Sequence, residues 1–378
     1  MTTKATRRGQ SSRTRLHIAF ELSLKEWKLA FSTGLAEKPV LLSVKAGDLE
    51  AVERAIRTVK RRLRLPASTP VVSCYEAGRD GFWLHRYLLS IGIENSIVDS
   101  ASIEVNRRMR RAKSDRLDAT KLVTMLIRWL AGEKKVWSVA RVPSATDEDR
   151  RHLHRELRTL KQDRTRVINR IKGYLANQGV RLTRMRKLTE QLEQIRLWDG
   201  SRLGAALVRR LRRECEHFEF LHEQILAIEA ERRAQLEKSR LRNVEKIRQL
   251  MTLRALGAGS SYVLVNEFFG WRKFKSRKQI GALSGLTPTN YQSGDTSHEQ
   301  GISKAGNRQV RAVAIQLAWA WLRYQPRSRL SHWYDQRFAR GGKRARKVGI
   351  VALARKLLIE LWRFLEWGVI PEGAELKV

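Results

Sequence analysis

The first apolar pattern in the chain has a period of two. Leu16, Ile18, Phe20 and Leu22 alternate with His17, Ala19, Glu21 and Ser23, which predicts a strand. EWKLAFST and PVLLSVKAG follow as two more strands with short connections, and the three together predict an antiparallel meander. The period then changes. In DLEAVERAIRTVKRRLRL, Ala51, Ile56, Val59 and Leu63 mark the apolar side of an amphipathic helix. TPVVSCYEAG predicts a buried strand, GFWLHRYLLSIG a helix, ENSIVDS a short strand and DRLDATKLVTMLIRWLAG a longer helix. The order βββαβαβα predicts a mixed sheet flanked by helices.

From residue 146 to residue 250 the chain is rich in Arg, Glu, Leu and Gln and poor in Gly and Pro. Thr146, with Asp149 three residues on, reads as a helix N-cap. Leu153, Leu157, Leu160, Val167, Ile171 and Tyr174 follow 4-3 spacing, broken at Arg164. A second series runs through Leu207, Leu211, Phe218, Leu221, Ile225 and Ile228, broken at Glu214. Two such helices joined around NQGVRLTRMRK predict an antiparallel coiled-coil arm or dimer contact, with an ordinary helical bundle as the alternative.

Beyond residue 250, LRALGAGSSYVLVNEFFG places a Gly-x-Gly turn between helical stretches. A Gly/Ser/Thr-rich segment, LSGLTPTNYQSGDTSHEQGISKAGN, reads as a polar loop. The helix NRQVRAVAIQLAWAWLRY carries Val310, Val313, Ala314, Leu317 and Trp321 at core spacing, and Trp319 is also expected in the core. A basic loop, RFARGGKRARK, leads to a final helix.

Charge narrows the function. The 378 residues include 76 basic and 38 acidic ones, a formal net charge of +38 and a pI near 11.2. That excess points to a polyanion, and nucleic acid is the commonest one. No run of about 18 apolar residues predicts a membrane span. The polar, basic start reads as a flexible arm over residues 1–14 and not as a secretory signal. Cys74 and Cys215 form no metal-binding pattern and fit structural thiols in a reducing cytoplasm.

Against this background four carboxylates stand out. Glu21 interrupts one apolar strand, Glu76 ends another, and Asp115 and Asp118 open a helix three residues apart. Glu21 and Glu76 become neighbours if their strands pair in parallel, as in a ribonuclease H-like sheet. Hard oxygen ligands of this kind suit Mg2+ or Mn2+, and two such ions can stabilise both oxygens of a phosphodiester displacement. Asp115 and Asp118 also fit a helix cap and a first-turn acid. Ser293 precedes Gly294 in the polar segment, with Lys304, Arg308 and Arg311 downstream to hold phosphate. By residue type alone it is a turn residue or a nucleophile needing activation, and Ser297 and Ser303 are alternatives. Further candidate nucleic-acid contacts are Lys113 and Arg116 beside the helix carboxylates, and Gly257 and Gly259 of the Gly-x-Gly turn. Lys343, Arg344, Arg346 and Lys347 of the basic loop complete the set.

IAFELS, CYEAGRDGFWLHRYL, KSDRLDATKL and GLTPTNYQSGDTSHEQGISKAGNRQVR occur in this order over nearly the whole chain. On these motifs the chain resembles DEDD insertion-sequence transposases with a catalytic serine, relatives of the Piv DNA invertases. The resemblance implies an acidic tetrad at Glu21, Glu76, Asp115 and Asp118 holding Mg2+, and a nucleophile at Ser293. The tetrad's first position is usually Asp; Glu21 keeps the oxygen ligand. The implied fold is α/β plus all-α. A basic arm (1–14) precedes a RuvC-like domain (15–145), a coiled-coil linker (146–250) and a mainly helical C-terminal transposase domain (251–378). It further implies target and donor DNA, a structured guide RNA, and a dimer to tetramer with a composite site, at the nucleoid of the cytoplasm. A hydrolytic nuclease of the Holliday-junction-resolvase type, using the same carboxylates, is the alternative. A non-catalytic nucleic-acid-packaging protein would need the charge alone.

Overall fold

Strand β1 (Leu16–Glu21) lies at the middle of a five-stranded sheet of order β3-β2-β1-β4-β5. The computed structural model describes residues 14–104, 115–182, 185, 188–293 and 296–377, which divide into two compact units, 1–142 and 143–378. The expected basic arm, apart from Thr14, and Lys113 lie outside the described residues. In the first unit, β2 (Glu26–Ser32) and β3 (Val40–Lys45) complete the meander, each antiparallel to its predecessor. Strands β4 (Val71–Glu76) and β5 (Glu94–Val98) extend the sheet in parallel on the other side of β1. The expected order βββαβαβα is observed.

Alternation along the strands assigns each residue to one of two layers. Leu16, Ile18 and Phe20 pack with Val52, Ile56 and Val59 of α1 (Leu49–Arg62) and Leu84 and Leu88 of α2 (Trp83–Ser90). Ala19 of β1 and Val72 and Cys74 of β4 face the other way, onto Ala119, Leu122, Val123 and Leu126 of α3 (Asp115–Leu130). Small residues on this face let the helix approach the sheet closely. Helix α1 is well terminated. The Asp48 side chain accepts from the Ala51 amide at 2.8 Å, and Lys60, Arg61 and Arg62 fill the last turn, where the helix dipole favours cations.

The second unit opens with α4 (Ala145–Asp149), capped by Ser144 and not by Thr146, which lies inside the helix. Ser144 has the extended backbone a cap requires, and its hydroxyl accepts from the Asp147 amide. Helices α5 (His152–Ala176) and α7 (Ala205–Lys238) form an antiparallel pair: Leu157 meets Ile225 and Ile228, while Ile171 and Leu175 meet Leu211 and Cys215. The two residues that break the heptads are satisfied across this seam. Arg164 reaches His222 at 3.1 Å, and Glu214 receives a forked contact from Arg170 at 2.8–3.1 Å. The connection between the helices is longer than NQGVRLTRMRK. It includes α6 (Leu188–Gln191), and Leu188, Leu192 and Leu203 join the same core.

The remaining elements surround a second core. Helices α8 (Arg242–Met251) and α9 (Ala258–Leu264) lead into one π-helical turn, Val265–Phe269. Helix α10 (Arg277–Ser284) precedes β6 (Pro288–Ser293) and β7 (Thr296–Ile302). Then come α11 (Arg308–Tyr324), α12 (Arg329–Tyr334), a π-helical turn at Asp335–Ala339 and α13 (Lys343–Trp367). Val310, Ala314, Leu317 and Trp321 of α11 are in the core as expected, packed with α13. Trp319 is not: two residues before Trp321 it turns to the outer face and is 51% exposed. The expected basic loop is helical from Lys343, since GKRARK joins the following apolar run without a stop signal.

Candidate catalytic sites

In the first unit, the parallel register pairs Phe20 with Tyr75, which sets Glu21 and Glu76 side by side at the carboxyl ends of adjacent strands. By alternation both belong to the face of Ala19 and Cys74, the face that α3 covers. The stripe of α3 that meets the sheet, Ala119, Leu122 and Leu126, continues backwards through Asp118 and Asp115 into the first turn. The Leu122 carbonyl lies 3.9 Å from Cys74 Sγ, so Asp118 is one helical turn from the strand position two residues before Glu76. Glu21 and Asp118 are partly buried, whereas Glu76, Asp115 and Arg116 are exposed. The donors are all hard oxygens on one face of one sheet, which is the chemistry a divalent cation requires. Among the described residues, however, no three acidic, His or Cys side chains stand close enough together to hold one ion.

In the second unit, Ser293 is not in an irregular loop. It is the last residue of β6, paired with Thr296, the first of β7, with only Gly294 and Asp295 between them in sequence. The register sets Ser297 opposite Gln292 and His298 opposite Tyr291; Ser303 lies one residue past the strand. The polar composition of PTNYQS and TSHEQGI hid these two strands in the sequence.

The base of this hairpin is fixed by close backbone approach. The Ser303, Lys304 and Asn307 amides donate to the Thr287, Gly285 and Leu283 carbonyls at 2.9–3.2 Å. Gly285 closes α10 in the left-handed conformation (φ 69°), and Gly306 takes φ 99°. A methyl group on Gly285 would overlap the Ala305 carbonyl oxygen, and one on Gly306 the Leu283 carbonyl oxygen. Lys304 also has positive φ, and Arg311 Nη1 donates to its carbonyl at 2.9 Å and to that of Ser284 at 3.3 Å. Lys304 and Arg308 are exposed beside this base. Gly257 caps α9 and Gly259 lies in its first turn, both exposed. Lys343, Arg344, Arg346 and Lys347 line the exposed start of α13.

One residue escaped the sequence analysis. Glu267, 1% exposed, sits in the π-helical turn after α9. His154 Nε2 donates to its Oε1 at 2.9 Å, and Arg155 donates to both oxygens at 2.7 and 3.0 Å. Asn307 Nδ2 donates to Oε2 at 3.1 Å, while Asn307 Oδ1 caps α11 by accepting from the Gln309 and Val310 amides. Burial opposes ionisation of Glu267, but the hydrogen bonds from His154 and Arg155 outweigh it and hold the carboxyl well below the usual carboxylate range. Its signal was the one that exposed Glu21: an acid inside an apolar run, here YVLVNEFFG.

Comparison with known sequences fits these features. Residues 247–332, which include Glu267, the hairpin and Asn307, match the profile described as "Transposase IS116/IS110/IS902 family". The putative transposase y4rJ of Sinorhizobium fredii (strain NBRC 101917 / NGR234) is 40% identical, over 96% of this chain and 94% of its own length. The transposase for insertion sequence element IS1328 of Yersinia enterocolitica is 28% identical over 58% of this chain and 63% of its own. The transposase for insertion sequence element IS1111A of Coxiella burnetii (strain RSA 493 / Nine Mile phase I) is 24% identical over 74% of each. The chain belongs to the IS116/IS110/IS902 family of insertion-element transposases. Transposases are enzymes that cut and rejoin DNA. Among the described residues, no helix is long and apolar enough to cross a membrane.

Proposed function

We propose that this transposase is a site-specific recombinase that breaks and rejoins DNA through Ser293, assisted by a divalent-metal site at Glu21, Glu76, Asp115 and Asp118. The observation that carries the metal half is the shared sheet face: two carboxylates at adjacent parallel strand ends and two on the first turn of the helix covering them. The serine half rests on the position of Ser293 at the end of a hairpin strand, above a base held by glycine contacts.

In the proposed reaction Ser293 Oγ bonds to a backbone phosphorus and loses its proton to solvent. The P–O3′ bond breaks, and the leaving oxygen takes up a proton to become a 3′-hydroxyl. The strand end remains attached as a 5′-phosphoserine. Attack by a different 3′-hydroxyl reverses these steps and restores the serine, so a high-energy cofactor is not required. Mg2+ or Mn2+, held by the tetrad, would neutralise charge on the phosphoryl oxygens. Lys304 and Arg308 hold the phosphate beside the hairpin base, and the net charge of +38 serves long polyanions.

The finer organisation is part of the same proposal. It comprises a RuvC-like domain (15–145), a coiled-coil linker (146–250), a C-terminal transposase domain (251–378), a structured guide RNA and an oligomer of two to four chains. The test is strand exchange with paired variants. Ser293→Ala should lose cleavage and exchange while keeping DNA binding. Asp118→Asn should lose cleavage together with Mg2+ binding measured by calorimetry. Cleavage retained by Ser293→Ala but lost by Asp118→Asn would turn the reading into that of a hydrolytic nuclease.

A further inference from the structure

A groove of about 740 Å³ runs between the base of the β6–β7 hairpin and the first turns of α13. Its lining combines aliphatic side chains, Ile302, Val348 and Val351 among them, with the cations Lys343, Arg344 and Lys347. Arg355 also lines it, and the lining holds no acidic residue. Val348 is 49% exposed in this cationic setting. None of the four cations makes an ion pair among the described residues. Helix α13 also begins without a side-chain cap and without an acid in its first turn, and four of its first five residues are basic. Cations at that end oppose the helix dipole. The arrangement is favourable when an anion lies beside them.

We propose that this groove seats one unpaired nucleotide of single-stranded DNA, with its flanking phosphates on Lys343, Arg344 and Lys347. The volume lies within the range of about 300–1,000 Å³ that encloses small ligands, far too narrow for a duplex. A duplex also keeps its bases stacked, so it has no apolar face to offer Val348 and Val351. A second copy of this chain is a poor occupant, because 38 acidic residues stand against 76 basic ones. The lining side chains are aliphatic or cationic, so the choice of DNA over RNA comes from the chemistry proposed for the neighbouring hairpin, and the two probes below separate them. The assignment rests on the reading that the hairpin works on a DNA strand, and it adds where that strand lies next to the hairpin.

The test is fluorescence anisotropy on nuclease-treated full-length protein with three probes of one sequence: single-stranded DNA, single-stranded RNA and duplex DNA. Val348 is exposed, so Val348→Ser and Val348→Asp leave the fold intact. Val348→Asp should weaken single-stranded DNA about tenfold and duplex binding less than about twofold; Val348→Ser should show a smaller loss with the same preference. Lys343→Glu combined with Lys347→Glu should lower the salt slope for single-stranded DNA by about 1.4. Equal losses on all three probes would reduce the groove to a general electrostatic surface. An effect larger on RNA than on DNA, or no effect of either Val348 variant, would overturn the assignment. Ser293→Ala should bind single-stranded DNA like the unaltered protein. If that variant still recombines DNA while Val348→Asp loses the single strand, the serine reading fails and the groove stands.

Discussion

Glu267 offers a direct measure of how the serine hairpin is held. Replacing it with Gln keeps the size but removes the charge and turns one acceptor oxygen into a donor. Four side-chain hydrogen bonds converge on the carboxylate, from His154, Arg155 twice and Asn307. The cost is not their sum. The Arg155 side chain is 43% exposed and recovers solvation, whereas His154 is 2% exposed and cannot. Breaking a buried pair from one side costs about 3–5 kcal/mol; with Arg155 rehydrated, the expected loss for Glu267→Gln is about 2–4 kcal/mol. Denaturant unfolding followed by tryptophan fluorescence measures it. Amide exchange then locates it, because the Gln309 and Val310 amides depend on the Asn307 cap that Glu267 orients. The pH dependence has a definite sign. The folded carboxyl titrates below its unfolded value, near 4.3, so its contribution is complete above that pH and is lost as pH falls further. The gap between the native protein and Glu267→Gln should therefore narrow below about pH 4. A loss under about 1 kcal/mol, a gap that widens in acid, or unchanged exchange at Gln309 and Val310 would refute the reasoning.

Two further predictions concern packing in the second unit. Gly306→Ala places a methyl against the Leu283 carbonyl in a left-handed backbone, and should cost about 2 kcal/mol or more; exchange should rise at the Ser303, Lys304 and Asn307 amides, while stability within about 0.5 kcal/mol of native would contradict it. The Arg170–Glu214 pair, which repairs a break in the apolar seam, should show a coupling of about 0.5–1 kcal/mol in a double-mutant cycle, with half of it lost in high salt.

The first unit was legible because its sequence carries one message at each level. Period-two strands, an amphipathic helix and a buried strand in the order βββαβαβα agreed with one another, and the parallel pairing of β1 and β4 that would unite Glu21 and Glu76 is the one observed. The second unit was harder to read for three physical reasons. The hairpin of Ser293 has strands too polar to show a hydrophobic period. The start of α13 is so basic that it resembles a loop, although a helix tolerates Lys and Arg in any number that solvent or an anion can accommodate. The heptad breaks at Arg164 and Glu214 lacked meaning until the facing helix supplied His222 and Arg170. Glu267 was missed because its partners come from α5 and from the cap of α11, more than a hundred residues before it and forty after, and sequence distance hides such a cluster.

The central claim is that Ser293 carries the strand that is cut. The direct measurement is to quench a Mg2+-dependent cleavage reaction with denaturant, digest the protein and nucleic acid, and weigh the peptide that contains residue 293. The account predicts a phosphorylated or nucleotide-bearing Ser293, present with Mg2+ and absent from the Asp118→Asn variant. Efficient cleavage with an unmodified Ser293 peptide, or an adduct on Ser297 or Ser303, would contradict it.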